Sequence, residues 1–291
     1  MNSSNPSSPG SSGAPGPAET PNTPEILLSP QNLQNANVPE DIRVPWGWLE
    51  LGLFLVFSLV SIVVVYGAAN IYLLVRYHMN FDRLQKFLST SAPFTIGVEV
   101  IWSLLLLGFM ILMIRFYHGQ RFWVSIGWRK LRLVGSPGAA ALLCIIAGLG
   151  LALVVAIASP LVSTKAHVPM EELFASRTDV LWLMCYGILF APFWEETLFR
   201  GFLYPIFARQ WGISAGIIVT GVLFGAMHAA QLWGGWGQIA LLTFVGIVLT
   251  WIRARAGSVA ASFLVHLTYN SILFAAFYVG TRGFHHLPPV H

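Results

Sequence analysis

The chain has 291 residues, of which 56% are hydrophobic and only 10% are charged. Soluble domains carry about a quarter charged residues, so this chain has too few polar side chains to cover a globular surface, and a bilayer is its expected solvent. The formal net charge is only +4. The sequence has no long Lys/Arg block and no basic residues interleaved with aromatic ones, which excludes the usual pattern of a nucleic-acid-binding protein.

Composition divides the chain into three parts. Residues 1–42 are rich in Ser, Pro, Asn and Gly and contain no Lys or Arg, so we expect a disordered polar segment there. No charged stretch leads into an apolar run at the start, which argues against a signal peptide. Residues 43–282 are expected to form the membrane domain, with its functional core at about 179–280, and residues 283–291 form a short tail.

Seven apolar runs follow the polar segment, and we predict that each is a transmembrane helix. A crossing needs roughly 20 apolar residues, and backbone groups in lipid must bond within their own segment, which favours helices. There is no alternating pattern typical of a membrane barrel. The runs cover about residues 46–77, 93–117, 136–162, 179–209, 213–231, 237–252 and 258–279. The predicted fold is therefore an all-α, polytopic transmembrane bundle of about seven spans.

The orientation of the bundle follows from the basic residues near the ends of the predicted spans. Nine lie on the side of the N-terminus and six on the opposite side, when the basic residue inside the fourth run is left out. Because cytoplasmic loops carry the excess of Lys and Arg, the pattern favours a multi-pass protein of the cell membrane with a cytoplasmic N-terminus.

Three of the predicted spans carry polar residues that a lipid-facing helix should not have. Glu195 and Glu196 lie on the fourth run, His228 on the fifth, and His266 and Asn270 on the seventh. A helical rise of 1.5 Å per residue places all of them roughly 10 to 25 Å from the same side of the membrane. Ionisable residues inside a membrane are expensive unless they are paired or face a polar cavity. We therefore expect these side chains to converge on one polar intramembrane cavity.

Spacing along each helix assigns different roles to the two acids. Glu196 and Arg200 are four residues apart, so they can form an ion pair along one helix face. Glu195 points about 100° away from Glu196 and is free to face another group. Both glutamates are candidate site residues, with Glu196 in a mainly architectural role and Glu195 in the chemistry. His266 and Asn270 are also four residues apart and share one face.

Two kinds of hydrolytic chemistry fit this set of residues. A water held between Glu195 and His228 can be deprotonated by the carboxylate and attack a carbonyl, while His266 and Asn270 donate hydrogen bonds to the oxyanion. Alternatively, Glu195, His228 and His266 make a His₂Glu set for a divalent metal such as zinc. There is no H-E-x-x-H motif, each ligand comes from a different helix, and the sequence does not choose between the two.

The motifs around these residues resemble those of a known family. The sequence reads Glu195-Glu196 with Arg200, then Phe224 with His228, then His266 with Asn270, in this order and within about 76 residues. This pattern resembles the CAAX-protease and bacteriocin-processing family of intramembrane endopeptidases, also called the Abi family. The similarity covers roughly residues 181–277, and the first three spans resemble the family only as apolar helices.

The resemblance implies a helical bundle with a water-accessible cavity open toward the cytoplasm. It implies that Glu195 and His228 activate the water and that His266 and Asn270 stabilise the oxyanion, with Arg200 and Phe224 as structural support. It also implies a peptide or protein substrate, which in eukaryotic relatives is a prenylated C-terminal tripeptide. The expected partners are therefore this substrate and the lipid bilayer, with no nucleic acid.

Two other functional classes remain open from the sequence. The first is a non-proteolytic membrane scaffold or immunity protein with the same fold, since some bacterial relatives are associated with self-immunity to bacteriocins. The second is a proton or small-solute pathway, because buried Glu and His residues also serve as relays. Glu99, in the second run, is an intramembrane acid that the family pattern does not explain. The sequence gives no oligomeric state.

Overall fold

A computed structural model describes Met1 and residues 39–131, 135–162, 169–174 and 176–287. All regular elements in these ranges are helical, so the predicted all-α class is confirmed for the described chain. Positions 2–38 of the predicted disordered segment and positions 288–291 of the predicted tail lie outside the described residues. The described helices belong to one compact unit, Val38–His291.

The first part of the bundle contains three long helices and two short ones. They are α1 (Trp48–Tyr77), α2 (Phe81–Thr90), α3 (Ala92–Leu112), α4 (Phe122–Ser125) and α5 (Pro137–Val162). A π turn, Met113–Tyr117, extends α3. Asn80 caps α2, where its side chain accepts a hydrogen bond from the backbone nitrogen of Arg83 at 2.9 Å. No predicted span covers α2, because the spans follow apolar runs and this helix has a polar face.

The fourth predicted run forms a continuous but irregular helix, residues 177–211, which we call the central helix. It consists of α6 (Arg177–Cys185), a π segment Tyr186–Phe190, α7 (Ala191–Glu195), a second π segment Glu196–Leu203, and α8 (Tyr204–Trp211). Turns of π-helix are frequent at functional sites, because the wider turn redirects side chains and frees backbone carbonyls. Both candidate glutamates lie where α7 passes into the second π segment.

Three helices complete the bundle, namely α9 (Ile213–Met227), α10 (Trp236–Ala256) and α11 (Val259–Gly280). Gly212 ends α8 with a φ of +87°, and Gly257 ends α10 with a φ of +62°. These left-handed positions favour glycine, and they let successive helices turn back on each other. The helix of the fifth predicted run ends at Met227 instead of continuing to Gln231, so His228 stands at a helix end.

Among the described residues, five helices are long and apolar enough to cross a membrane by length and composition, and they match five of the seven predicted spans. These are Trp48–Tyr77, Ala92–Tyr117, Pro137–Val162, Trp236–Ala256 and Val259–Gly280. The fourth predicted span is divided by its π segments, and α9 has only 15 residues. Both are nevertheless helical, which agrees with a bundle of about seven spans.

Small residues bring the helices of the second half into close contact. A Cβ built on Gly221 of α9 would lie 2.6 Å from the backbone nitrogen of Ile247, and one on Gly246 would lie 2.9 Å from the carbonyl oxygen of Gly221. Helices in membranes pack closely at such positions. The contact therefore fixes α9, with Phe224 and His228 at its end, against α10.

Residues 41–46, just before α1, form a segment that we call the strap, and this segment is bound to the central helix and α10. Trp46 is fully buried, and its Nε1 donates to the carbonyl of Phe202 at 3.1 Å. The guanidinium of Arg209 donates to the carbonyl of Trp46 at 2.6 Å. Arg253 of α10 forms an ion pair with Asp41 at 2.6 Å. These bonds hold the start of the bundle against the segment that carries the two glutamates.

Candidate active site

Glu196 and Arg200 form the ion pair that their spacing predicts, and both side chains are completely buried. Nη1 of Arg200 donates to Oε1 of Glu196 at 2.9 Å. The other guanidinium nitrogens donate to α10, Nη2 to the carbonyl of Gly246 at 2.8 Å and Nε to the hydroxyl of Thr250 at 3.2 Å. Because every guanidinium nitrogen has a partner, the buried charge is satisfied and ties the central helix to α10.

His266 of α11 is bound to the same carboxylate. Its Nδ1 lies 3.0 Å from Oε1 of Glu196, and the residue is 3% exposed. Since the carboxylate is paired with Arg200, Nδ1 is the donor in this bond. The ring therefore points Nε2 away from Glu196 and toward Glu195. Spacing along the central helix predicts only the pair of Glu196 with Arg200, and the contact with His266 appears only in the structure.

His228 is held from the opposite side of the site. Its Nδ1 lies 2.8 Å from the carbonyl oxygen of Phe224, one turn earlier on α9, so Nδ1 carries a proton and donates it to this bond. In the neutral ring Nε2 is then an acceptor. Nε2 of His228 faces Glu195, as Nε2 of His266 does.

Glu195 lies between the two histidines. Its Oε1 is 3.9 Å from Nε2 of His228, and its Oε2 is 3.8 Å from Nε2 of His266. Both separations exceed hydrogen-bond length. The carboxylate oxygens of Glu195 and Nε2 of His228 are acceptors, so the space between them suits a group that donates hydrogen bonds, such as a water molecule.

The ring of Phe224 packs against His228, His266 and Arg200. Its ring centroid lies 4.9 Å from that of His228 and 5.8 Å from that of His266, and the guanidinium carbon of Arg200 lies 4.6 Å above its centre. The residue is 1% exposed. A single aromatic side chain thus touches three of the candidate residues and fixes the orientation of both imidazoles.

Asn270 has a backbone partner. Its Nδ2 donates to the carbonyl of Gly187 at 2.7 Å, which joins α11 to the first π segment of the central helix. An amide nitrogen carries two hydrogens, so the second one is free for another acceptor. The oxyanion role predicted for this residue therefore rests on that second hydrogen.

The donor set can be compared with what zinc requires. In a tetrahedral zinc site the ligand atoms lie about 3.3 Å apart, because zinc–nitrogen bonds are about 2.0 Å. The corresponding separations here are 3.8 and 3.9 Å, and the described residues contain no group of three or more His, Cys, Asp or Glu spaced to hold a metal ion. The residue types suit zinc, and the two separations from Glu195 are about 0.5 Å longer than those of a closed tetrahedral site.

Two tyrosines that no sequence pattern singled out have partners within the bundle. The hydroxyl of Tyr66 on α1 donates to Oε2 of Glu99 at 3.0 Å. Tyr186, in the first π segment, packs against a buried cluster that includes Ile96 and Leu183. A tyrosine in an apolar run gives no sequence signal of a site, since Tyr is common near membrane interfaces.

Part of the chain is similar to known proteins. Residues 177–272 match the family model described as type II CAAX prenyl endopeptidase Rce1-like. An uncharacterized 24.3 kDa protein of Escherichia coli is 30% identical over 107 residues, which are 35% of this chain and 48% of the relative. The matched part of the chain thus spans about half the length of that curated relative. No solved structure matches this chain.

The matched range includes every candidate residue that the motifs singled out, from Glu195 to Asn270. It begins at the start of the central helix and ends within α11. The resemblance is therefore confirmed: residues 177–272 of this chain are similar to the type II CAAX prenyl endopeptidase Rce1-like family.

Proposed function

We propose that this protein is an intramembrane endopeptidase that hydrolyses a peptide bond near a chain terminus with a water activated by Glu195. The observation that carries the proposal is the position of this carboxylate between two imidazoles. Each of them turns Nε2 toward it and is fixed through Nδ1. The family match supports a membrane endopeptidase at the coarser level.

In the first step, a water donates one hydrogen bond to Glu195 and the other to Nε2 of His228. The carboxylate takes a proton as the water oxygen attacks the carbonyl carbon of the scissile bond. His228 orients the water, and the carbonyl of Phe224 keeps the ring proton on Nδ1, so that Nε2 stays an acceptor. The product of this step is a tetrahedral intermediate with a negative oxygen.

His266 and Asn270 then donate to that negative oxygen. Nδ1 of His266 already donates to Glu196, so Nε2 donates only when the ring is an imidazolium, whose charge the adjacent carboxylate balances. Asn270 contributes the amide hydrogen that the carbonyl of Gly187 does not use. Collapse of the intermediate breaks the C–N bond, and Glu195 returns its proton to the leaving amine.

The proposed substrate is a peptide or protein that reaches the site from the bilayer. The family description names a CAAX prenyl endopeptidase, so a peptide with a lipidated C-terminus is the first substrate to test. The protein is multi-pass, and we propose a cytoplasmic N-terminus from the excess of basic residues on that side.

A cleavage assay on the purified protein tests this proposal. Prenylated and unprenylated peptides are incubated with the wild type and with Glu195→Gln, and products are identified by mass spectrometry. We expect Glu195→Gln to lower cleavage by about 10²- to 10⁴-fold, the usual contribution of a general base. Glu50→Gln is the matched control, because Glu50 is a buried acid bonded to His118 elsewhere. Cleavage that survives in Glu195→Gln, or is absent from the wild type on every peptide, contradicts the proposal.

The same assay with a chelator tests the zinc alternative. A water activated by Glu195 alone gives cleavage that does not depend on the chelator. Loss of cleavage with chelator, restored by added zinc, would assign His228 and His266 as ligands instead.

A further inference from the structure

Residues 122–129, which are α4 and the turn after it, lie on the central helix beside the site, and we call them the bridging segment. Ile126 of this segment is fully buried. Gly201 leaves the space for it, because a Cβ on Gly201 would lie only 3.0 Å from the carbonyl oxygen of Ile126. Nε1 of Trp128 donates to the hydroxyl of Thr197 at 3.2 Å. The bridging segment is thus bonded to the same π segment that carries the buried ion pair.

The bridging segment is also bonded to the first residues of α11. The backbone nitrogen of Val259 donates to the carbonyl of Gly127 at 2.8 Å, and the hydroxyl of Ser258 donates to the carbonyl of Arg129 at 2.7 Å. The first N–H groups of a helix have no partner within the helix, so Gly127 supplies one from outside. Gly127 has a φ of +87°, and a Cβ there would lie 2.7 Å from Nη2 of Arg253. These contacts fix the start of α11.

The ring of Trp128 joins the central helix to α11. Its centroid lies 5.5 Å from that of Phe193 on the central helix and 5.3 Å from that of Phe263 on α11. Phe193 precedes Glu196 by three residues, and Phe263 precedes His266 by three. Residues three apart are neighbours on a helix surface. One ring therefore packs against both helices within about one turn of the bond between His266 and Glu196.

The bond between His266 and Glu196 depends on the rotation of α11 about its own axis. Side chains extend about 5–6 Å from a helix axis, so a rotation of about 10° moves their ends by about 1 Å. The bond is 3.0 Å long, and an increase of that size takes it beyond hydrogen-bond length. The contacts of Trp128 oppose such a rotation, because they hold both helices close to this bond.

We propose that Trp128 is a positioning residue for the two oxyanion donors, His266 and Asn270. It acts through the rotation of α11, which carries both of them. The expected effect on cleavage rests on the proposed peptidase function. The effect on the bond from His266 to Glu196 does not, since that bond can be observed without a substrate.

Nuclear magnetic resonance of protein labelled with ¹⁵N-histidine measures this bond in detergent. The proton that His266 donates to Glu196 is buried and bonded to a carboxylate, so it gives a downfield signal, which is identified by its absence from His266→Gln. We expect Trp128→Leu to remove this signal and to lower kcat by about 10²-fold, the cost of a displacement of about 1 Å. KM should stay nearly unchanged, because the oxyanion donors act in the transition state.

Two other variants at this contact refine the test. Trp128→Phe keeps a ring between Phe193 and Phe263, so it should retain the signal and lose less than about tenfold in kcat, the effect of one hydrogen bond. Phe263→Leu removes only the ring contact on α11 and should weaken both the signal and kcat. This variant decides the question if Trp128→Leu does not fold.

Trp102→Leu is the matched control. Trp102 is also a partly buried tryptophan whose Nε1 donates to a hydroxyl on another helix, that of Ser61 at 3.1 Å, but it joins α1 to α3. We expect this variant to lower the melting temperature and to leave the His266 signal and kcat unchanged.

An intact His266 signal in Trp128→Leu, or in Phe263→Leu if the former does not fold, overturns the proposal. An equal loss of the signal in Trp128→Leu and Trp102→Leu also overturns it, because that result reports only a less stable protein. If the wild type cleaves no peptide and the signal is lost in Trp128→Leu alone, the positioning role stands and only the peptidase function fails.

Discussion

Glu196 is the residue on which the order of the site depends. Its Oε1 accepts from Arg200 at 2.9 Å and from His266 at 3.0 Å, so one oxygen joins a central-helix cation to an α11 imidazole. A buried ion pair adds little net stability when it is compared with apolar residues. The loss of one partner, however, leaves an uncompensated charge and is strongly destabilising. Glu195 and Glu196, although adjacent, should therefore differ in how much the same substitution destabilises the protein.

Glu196→Gln is expected to destabilise the protein by about 3–5 kcal/mol, because it leaves the charge of Arg200 buried without a counter-charge. The measurement is thermal or denaturant unfolding of the purified variant in detergent. Glu195→Gln serves as the comparison, since Glu195 has no hydrogen bond to lose and should melt like the wild type. Equal melting temperatures for the two variants and the wild type would contradict the different roles of Glu195 and Glu196.

Residue contacts within one helix could be predicted from the sequence, and contacts between helices could not. Four-residue spacing gives the pair of Glu196 and Arg200 directly. The bond from His266 to Glu196 joins residues 70 positions apart. It depends on how α11 is rotated about its own axis, which depth estimates do not fix. The bond from Asn270 to Gly187 could not be predicted for the same reason, since it also depends on the rotation of α11.

At the scale of elements, the contact of α9 with α10 sets the place of His228. Gly221 lies between Gly246 and Ile247 with no room for a methyl group. Phe224 follows Gly221 by one turn and His228 by two, so a shift of α9 moves both rings. The close packing of two backbones thus determines the distance from His228 to Glu195.

Gly221→Ala is expected to separate α9 from α10 and to cost about 1–3 kcal/mol, the usual range for overpacking. Melting temperature and kcat should both fall, because His228 moves with its helix. Gly150→Ala on α5 is the matched control, since a Cβ there meets no atom within 4 Å. An active, stable Gly221→Ala variant would show that the glycine contact does not position the histidine.

The strap before α1 acts on the second π segment. Trp46→Phe keeps the stacking on Phe202, whose ring is 5.9 Å away, but removes the donor to its carbonyl. A buried carbonyl left without a partner costs about 1–3 kcal/mol. We expect a lower melting temperature and reduced cleavage, measured against Trp48→Phe, because Trp48 is 47% exposed. Identical behaviour of the two variants would remove Trp46 from the support of the site.

The elements themselves could be predicted to different extents. Hydropathy gave α1, α3, α5, α10 and α11 within a few residues, because length and apolar content decide a membrane span. It did not give the π segments, since an extra residue in a turn changes neither hydropathy nor length. It also placed the end of α9 beyond Met227, because the turn that follows is still partly apolar.

For the whole molecule, the number of crossings decides where the two ends of the chain lie. Seven crossings place the N-terminus and C-terminus on opposite sides of the membrane, with the N-terminus expected in the cytoplasm. Reporters that are active on only one side, fused to each end in turn, measure this directly. Reporters active on the same side would mean that the central helix or α9 does not make a separate crossing.

The first π segment, Tyr186–Phe190, holds one residue more than an α-helical turn requires. In a regular helix such as α5, the loss of one residue turns every later side chain by about 100°. A single deletion within Tyr186–Phe190 can instead convert the π turn to an α turn and leave Glu195 aimed at both histidines. Differences in length among related central helices should therefore concentrate at this segment, where one residue can be gained or lost without changing the direction of the Glu195 side chain.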